Sequence, residues 1–379
     1  QAVFFLGYIY LYRLFYWKVS RVLVNHVCLF LMTGFVMLTR LNPEQAMRQF
    51  VIAVIAAAVT WIIPFVMDRV WQLAKIPWIY GLFGLFLLIL VCAAGNTAYG
   101  AQLSLGWGGF SFQPSEFVKI LYVFFMASLL SQTTKFKHIV IISAVAAVHV
   151  VILVAEKDLG AALIYFVTYI FVLYVATTKV QYLGAGLAGG TLASIVAYHL
   201  FSHVRTRVQA WRDPWAEIRG GGYQVAQSLF AIGTGGFIGM GLGKGLPGSV
   251  PVVESDFVFS AISEELGGVF AICLIMVYLS SYIMFVNIAM KMKKQFYKLT
   301  AFGLSVVFIF QVFLCVGGVT KFIPSTGVTL PLISYGGSSI VTTIIIFSVI
   351  QGMYVLNGKE EESLEEETEK ESSKRKSRG

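Results

Sequence analysis

Apolar residues in this chain fall in long runs separated by short polar connections. Ten runs stand out, at 22–40, 48–67, 78–95, 114–132, 139–155, 160–176, 181–200, 261–287, 299–320 and 334–356. Each is close to the roughly 20 residues that carry an α-helix across a bilayer core. Backbone polar groups in hydrocarbon must be satisfied within the segment, so such runs are helical. The pattern predicts an all-α fold: a polytopic membrane bundle of about ten transmembrane helices over residues 22–358. Ahead of it, residues 1–21 form an apolar, aromatic extension broken by Arg13. This extension reads either as an interfacial helix or as part of a further span. Beyond it, 359–379 has almost no apolar content and is expected to be a disordered cytoplasmic tail.

One connection departs from the pattern. About 60 residues, 201–260, separate the seventh and eighth runs. Connections of this length in a compact protein are either functional or disordered. Trp211, Trp215, Tyr223 and Phe257 argue for order. Short helices and re-entrant turns over one mouth of the bundle are expected.

The short loops carry an orientation signal. One alternate set holds Lys18 and Arg21, Arg69 and Lys75, Lys135 and Lys137, Lys179, and Lys291, Lys293, Lys294 and Lys298. The other set is poorer in bases. Basic loops favour the cytoplasmic side, which places both ends of the ten-span core inside and 201–260 outside.

Composition sharpens this picture. The 379 residues are 58% hydrophobic and 12% charged, against about 25% charged in a soluble domain. Net charge is +9, although the last 21 residues hold 8 of the 19 acids. A basic membrane body suits anionic lipid headgroups or a phosphate-bearing substrate. It contains no compact basic domain for nucleic acid. Cys28, Cys92, Cys273 and Cys315 each lie in an apolar run and read as small buried hydrophobes; no metal-ligand spacing joins them to His. No cleavable signal peptide is evident.

Acids are scarce outside the tail, and polar residues near membrane depth are costly, so their positions are informative. Glu116, Asp158, Asp213, Glu217, Glu254, Asp256, Glu264 and Glu265 gather at span ends or in the long connection. Lys119, Arg205, Arg207, Arg212, Arg219 and Lys244 fall on the same side and could meet a negative headgroup such as a lipid pyrophosphate. Glu116 and Lys119 are three apart after Pro114 and share a helix face. They make either a helix-end ion pair or the polar wall of a cavity. Asp158 reads either as a helix N-terminal acid or as a site residue. The glycines between 220 and 245 serve either close backbone packing or anion binding by clustered amides. Asp256 sits where the chain re-enters the bilayer. It is either an N-cap or a half-desolvated general base.

Five stretches carry a resemblance: Gln113–Lys119 (QPSEFVK), Asp158–Ala161 (DLGA), Gln227–Gly243 (QSLFAIGTGGFIGMGLG), Asp256–Gly267 (DFVFSAISEELG) and Thr329–Ser339 (TLPLISYGGSS). In this order and spacing, across about residues 100–345, they resemble the SEDS family of shape, elongation, division and sporulation proteins, the FtsW/RodA/SpoVE family. At Leu314–Gly318 the chain departs from the Asn and Met that the family often carries there.

The resemblance implies a peptidoglycan glycosyltransferase that polymerises lipid II into glycan strands on the outer face of the bacterial cell membrane, with inversion. It implies Asp256 as the catalytic acid residue, in the role of general base. Glu116, Lys119, Asp158, Arg205, Arg207, Arg212, Gln227, Lys244, Ser325 and Ser338 are read as substrate-binding. The sequence fixes no cofactor, and a divalent cation such as Mg2+ or Mn2+ is compatible with it. The expected partners are lipid II, the growing strand, membrane lipids and a class B penicillin-binding transpeptidase. A lipid II flippase using the same polar cavity is the alternative, since a transporter also needs charges at membrane depth.

Overall fold

A computed structural model describes residues 1–16, 18–98, 101–107, 110–216, 218 and 220–376. Glu217, Arg219 and the last three residues of the tail therefore lie outside the described residues. Fourteen α-helices run in order: α1 Ala2–Phe15, α2 Arg21–Leu41, α3 Pro43–Thr60, α4 Ile63–Val70, α5 Pro77–Ala94, α6 Pro114–Gln132, α7 Phe136–Ala155, α8 Leu159–Thr177, α9 Val180–Leu200, α10 Ser202–Arg212, α11 Tyr223–Gly235, α12 Val258–Lys291, α13 Gln295–Val319 and α14 Gly337–Lys376. Among the described residues ten stretches are long and apolar enough to cross a membrane, with α3 and α4 together forming the second. The protein is a multi-pass membrane bundle.

Helix ends follow local chemistry. The Ser20 hydroxyl accepts from the Leu23 amide and the Asn42 side chain accepts from the Gln45 amide, capping α2 and α3. Asn42 and Pro43 start the second span five residues before its apolar run begins. Proline opens α3, α5 and α6, where its missing N–H costs nothing. The fourth span, Pro114–Gln132, coincides with its apolar run.

The core sits around α13 and α14, the most enclosed spans. Helix α13 packs against α6, α8 and α12, with Phe308 against Phe285, Tyr278 and Phe347. Phe30 of α2 stacks on Tyr278 at 4.1 Å. At the other extreme α9 has no buried residue and touches chiefly α8 and α10. Helix α1 packs lengthwise on the bundle: Phe5 meets Phe35, Phe4 meets Phe50, and the Tyr12 hydroxyl lies 3.5 Å from that of Ser348.

Among its described residues the connection 96–112 holds a three-stranded antiparallel ribbon, β1 Asn96–Ala98, β2 Ala101–Trp107 and β3 Phe110–Phe112. Its strands pair locally, so a ribbon satisfies their backbone without altering the helical bundle. Over its described part the tail continues α14 as a helix to Lys376. The residues after Gly358 are mostly good helix formers on an existing helix, so only propagation is needed, not nucleation. Glu360, Glu361 and Glu362 also meet Lys293, Lys291 and Lys18 at 3.9, 3.7 and 3.0 Å.

The described residues of the long connection form compact structure. It holds α10, α11 and a glycine-rich loop that closes onto α12. That helix is broken at Gly267, whose φ is +87°. The connections after α5, α7, α9 and α13 all emerge at the same end of the bundle as this loop.

Candidate active site

Three stretches distant in sequence build a polar cavity at that end. It is small, with room for about 30 Å3, and is lined by Gln113, Ser115, Glu116, Lys119, Asp158 and Tyr165 on one side and by Gly327–Thr329 on the other. The α6 helix begins in it. Glu116 and Lys119, one turn apart on a shared face, form an ion pair at 2.6 Å. Lys119 is almost fully enclosed, and its ammonium also donates to Gln311 Oε1 of α13 at 2.7 Å. The Gln311 amide donates in turn to the Thr329 carbonyl at 3.1 Å and to Ser339 Oγ at 3.3 Å. One glutamine thus ties the buried cation to the segment before α14.

Asp158 occupies the N-cap of α8, where Oδ1 accepts from the Ala161 amide at 3.0 Å. Its other oxygen faces the cavity and accepts from Ser115 Oγ at 3.3 Å. One oxygen of Asp158 thus caps α8 while the other is presented to the cavity. Burial pushes the Asp158 carboxyl above its ordinary value, and Glu116 adds to this; the Ala161 amide, Ser115 and Arg207 oppose it. Ser338 accepts the Gln113 amide at 2.9 Å, pinning the start of α6 to the start of α14.

Asp256 enters from the other side, two residues before α12 begins. A Cβ placed on Gly327 would lie 3.4 Å from Asp256 Oδ2 and 3.7 Å from an Arg207 guanidinium nitrogen. Gly327 itself lies on the cavity wall with φ +73°, a left-handed backbone that glycine adopts freely; a Cβ there would make ordinary contact with both groups, which places them beside this stretch of wall. Arg207 of α10 is held by the Ser325 carbonyl at 3.2 Å. Burial raises the Asp256 carboxyl, Asp158 raises it further, and Ser255 and Arg207 pull it down. Burial lowers the Arg207 guanidinium from its ordinary value, while Asp256 and Asp158 raise it. The arrangement is one cation between two buried carboxylates.

The backbone around Asp256 is fixed from below. Ser334 Oγ donates to the Ser255 carbonyl, the Tyr335 amide donates to the Glu254 carbonyl at 2.7 Å, and Cys315 Sγ lies 3.7 Å from the Asp256 carbonyl. Non-glycine residues with positive φ concentrate in the loops at this end: Lys157, Val252, Lys321 and Leu332. Strain of this kind persists where surrounding structure over-determines the backbone.

A model of the cell-cycle proteins FtsW, RodA and SpoVE matches residues 15–356. The chain belongs to the FtsW/RodA/SpoVE family. Peptidoglycan glycosyltransferase RodA of Mycobacterium tuberculosis is 38% identical over 328 residues, covering 82% of this chain and 70% of its own. Probable peptidoglycan glycosyltransferase FtsW of Geobacter sp. (strain M18) is 33% identical over 292 residues, covering 74% and 79%. A chain from a peptidoglycan synthase complex, solved for its structural coordination of polymerization and crosslinking, superimposes with a TM-score of 0.78 at 25% identity, covering 89% of this chain and 98% of its own. The rod shape determining protein RodA of Thermus thermophilus shares the fold with a TM-score of 0.67 at 24% identity, covering 89% and 96%.

Within this family member the fold brings together Asp256, Asp158, Glu116, Lys119, Arg207, Ser325 and Ser338. Four candidates lie elsewhere. Arg205 points away from the cavity, donating to the His199 carbonyl at 3.1 Å and lying over the Tyr198 ring. A helix turns about 100° per residue, so Arg205 and Arg207 cannot share a face. Arg212 and Gln227 do not line the cavity, and Lys244 is exposed on the glycine-rich loop. That loop answers the question its glycines raised. A Cβ on Gly235 would sit 2.1 Å from the Ser263 carbonyl, and one on Gly239 2.4 Å from that of Glu265. The amides of Gly243 and Leu246 are used by the chain's own Glu265 and Glu264 carboxylates, at 3.1 and 2.9 Å. The run serves packing.

Ser115, Thr329 and Ser339 fall in the quoted stretches but were not singled out, and Gln311 escaped notice in the sequence altogether. Gln311 carried a usable signal, a glutamine in the middle of an apolar span.

Among the described residues no three His, Cys, Asp or Glu side chains come together. The donor set therefore does not by itself make a divalent-cation site.

Proposed function

We propose that this chain polymerises lipid II into glycan strands at the outer face of the bacterial cell membrane, with Asp256 as general base. The observation that carries this reading is the gathering of four separate stretches of chain: Asp158 and the Glu116–Lys119 pair line one cavity, and Asp256 and Arg207 lie beside Gly327 of its wall. The names of the relatives supply the reaction class. Their word for it is peptidoglycan glycosyltransferase.

The chemistry balances as an inverting displacement. Asp256 takes the proton of the acceptor sugar's 4-hydroxyl, and that oxygen attacks the anomeric carbon of the donor. The anomeric carbon–oxygen bond to the pyrophosphate breaks, and undecaprenyl pyrophosphate leaves with the electron pair. A carboxylate raised by burial is a stronger base than an ordinary one, and the Arg207 guanidinium favours its ionised form. Arg207 and Lys119 are the enclosed cations nearest the leaving charge and would stabilise it.

Orientation rests on the short loops. Those at the end opposite the cavity carry the lysines, which favours the cytoplasm for that end and the outer face for the cavity. Likeness to a chain of a synthase complex that couples polymerization to crosslinking supports a class B penicillin-binding transpeptidase as partner.

Asp256→Asn keeps size and removes the base. Purified in lipid, it should lose glycan polymer on a gel by about 10²–10⁴-fold, the usual worth of a general base. Its thermal midpoint should stay near the parent's. Near-normal polymer from a folded Asp256→Asn protein would sink the assignment, and lipid II translocation without polymer by the parent would favour the flippase.

A further inference from the structure

The glycine-rich loop leaves a row of large apolar side chains uncovered. Ile238 is 89% exposed, Phe237 79% and Leu246 78%, with Met240 and Leu242 also exposed. The loop is well fixed, so this exposure is a property of its folded form. The amides of Met240 and Gly241 donate to the carbonyls of Glu264 and Glu265 at 2.9 and 3.0 Å. Those of Gly268 and Val269 donate back to Gly236 and Phe237 at 2.8 and 3.1 Å. Arg40, the penultimate residue of α2, closes the loop from behind, pairing with Glu265 at 3.2 Å and donating to the Gly245 carbonyl.

Two observations fix what this row faces. The first is continuity. Val269, Ile272, Met276, Leu279 and Ile283 of α12 are all exposed and recur at intervals of three and four, so they form one stripe along a spanning helix. In a bilayer that stripe meets acyl chains. The bond from the Val269 amide to the Phe237 carbonyl puts the loop at the head of the same stripe. The second is height. From Gly267 to Lys291 the helix rises about 36 Å at 1.5 Å per residue, against a hydrocarbon core of roughly 30 Å. The break at Gly267 therefore lies at the membrane boundary on the cavity end, and Arg40 at the end of α2 marks the same level.

We propose that the Phe237–Leu246 loop is an in-plane membrane anchor, its apolar side chains seated among the acyl chains of the leaflet on the cavity side. Its backbone pairing with α12 lets it lie there without many stranded polar groups. The exposed Lys244 reaches the headgroup layer, as long cationic side chains at an interface do. The anchor leads through Pro247–Ser249 to the arm that carries Asp256, so it also sets the height of that arm relative to the lipid.

The test is site-directed spin labelling of the full chain in nanodiscs of phosphatidylethanolamine and phosphatidylglycerol. Cys28, Cys92 and Cys273 are replaced by serine, while the buried Cys315 is kept. A nitroxide is placed by Ile238→Cys, with Ile272→Cys as the lipid reference and Gly221→Cys as the aqueous one. The label at 238 should collide with oxygen far more than with a water-soluble nickel chelate, close to the ratio at 272. A ratio matching position 221 would overturn the anchor. Low collision with both would also overturn it, since that pattern means another protein segment or a second copy covers the loop. Leu246→Cys gives an independent reading at a second open side chain, which decides the matter if the variant at 238 does not fold.

Discussion

Lys119 lies almost wholly enclosed in the bundle, and its charge is tolerable there only because Glu116 and Gln311 both receive it. Removing one member of a buried pair typically costs more than the pair is worth. Glu116→Gln should therefore destabilise the protein by about 3–5 kcal/mol, read as a lowered thermal midpoint of the purified protein. Adding Lys119→Met should restore part of it; equal midpoints for Glu116→Gln and parent would mean that the pair is not a structural unit. Glu156 is the opposite case, a buried acid with an unpaired oxygen. Burial, with Asp158 adding to it, pushes its carboxyl up to about 8. The folded state thus holds that proton more tightly than the unfolded chain does. At pH 4 both states are protonated and the residue is neutral for stability. As pH rises from the unfolded value toward 8, the unfolded chain ionises first and stability falls. Glu156→Gln should match the parent near pH 4 and exceed its midpoint by several degrees at pH 9. A constant difference across that range would show that Glu156 does not titrate in this way.

At the scale of elements, the interlock between the 235–246 loop and the break in α12 depends on two chains of backbone passing closer than a Cβ permits. Gly239 combines φ +85° with 2.4 Å of clearance to the Glu265 carbonyl. A non-glycine residue in the left-handed region costs about 1–2 kcal/mol before any clash. Gly239→Ala should lower both the thermal midpoint and polymer yield, because the loop leads into the arm bearing Asp256. Gly233→Ala, in the helix α11 with nothing within 4 Å of its Cβ, should leave both unchanged. Equal effects from the two variants would refute the interlock. The same scale separates candidates that pattern alone leaves together. Arg205 and Arg207 are indistinguishable as basic residues of one connection, and the helical turn of α10 gives one of them to the cavity and the other to the His199 carbonyl.

For the whole molecule, the tail helix is a peripheral fixture. Its three contacts with Lys18, Lys291 and Lys293 are exposed ion pairs, each worth about 0–1 kcal/mol and screened by salt. Truncation after Gly358 should leave polymerisation by the purified protein within about twofold of the parent, consistent with a loss of only tenths of a kcal/mol. A large loss would show that the charged clasp at the end opposite the cavity controls the site across the membrane. The bundle's stability lies in α13 and α14, which are buried on nearly all sides and carry Gln311 and Ser339 to the cavity.

The sequence by itself determined the ten spans, the long ordered connection and the acid that leads into α12. These follow from apolar run length, turn chemistry and the cost of charge at membrane depth, all of which are local. Tertiary structure decided which charges meet. Glu116 and Lys119 were legible as neighbours on a helix, but Gln311 joins them from 192 residues away, and no periodicity encodes that distance. It also decided the use of the glycines, whose freedom suits anion binding and tight packing equally until the facing backbone of α12 is in place. The extended tail helix belongs to the same class: its charge pattern permits disorder, and the lysines it meets lie on other elements.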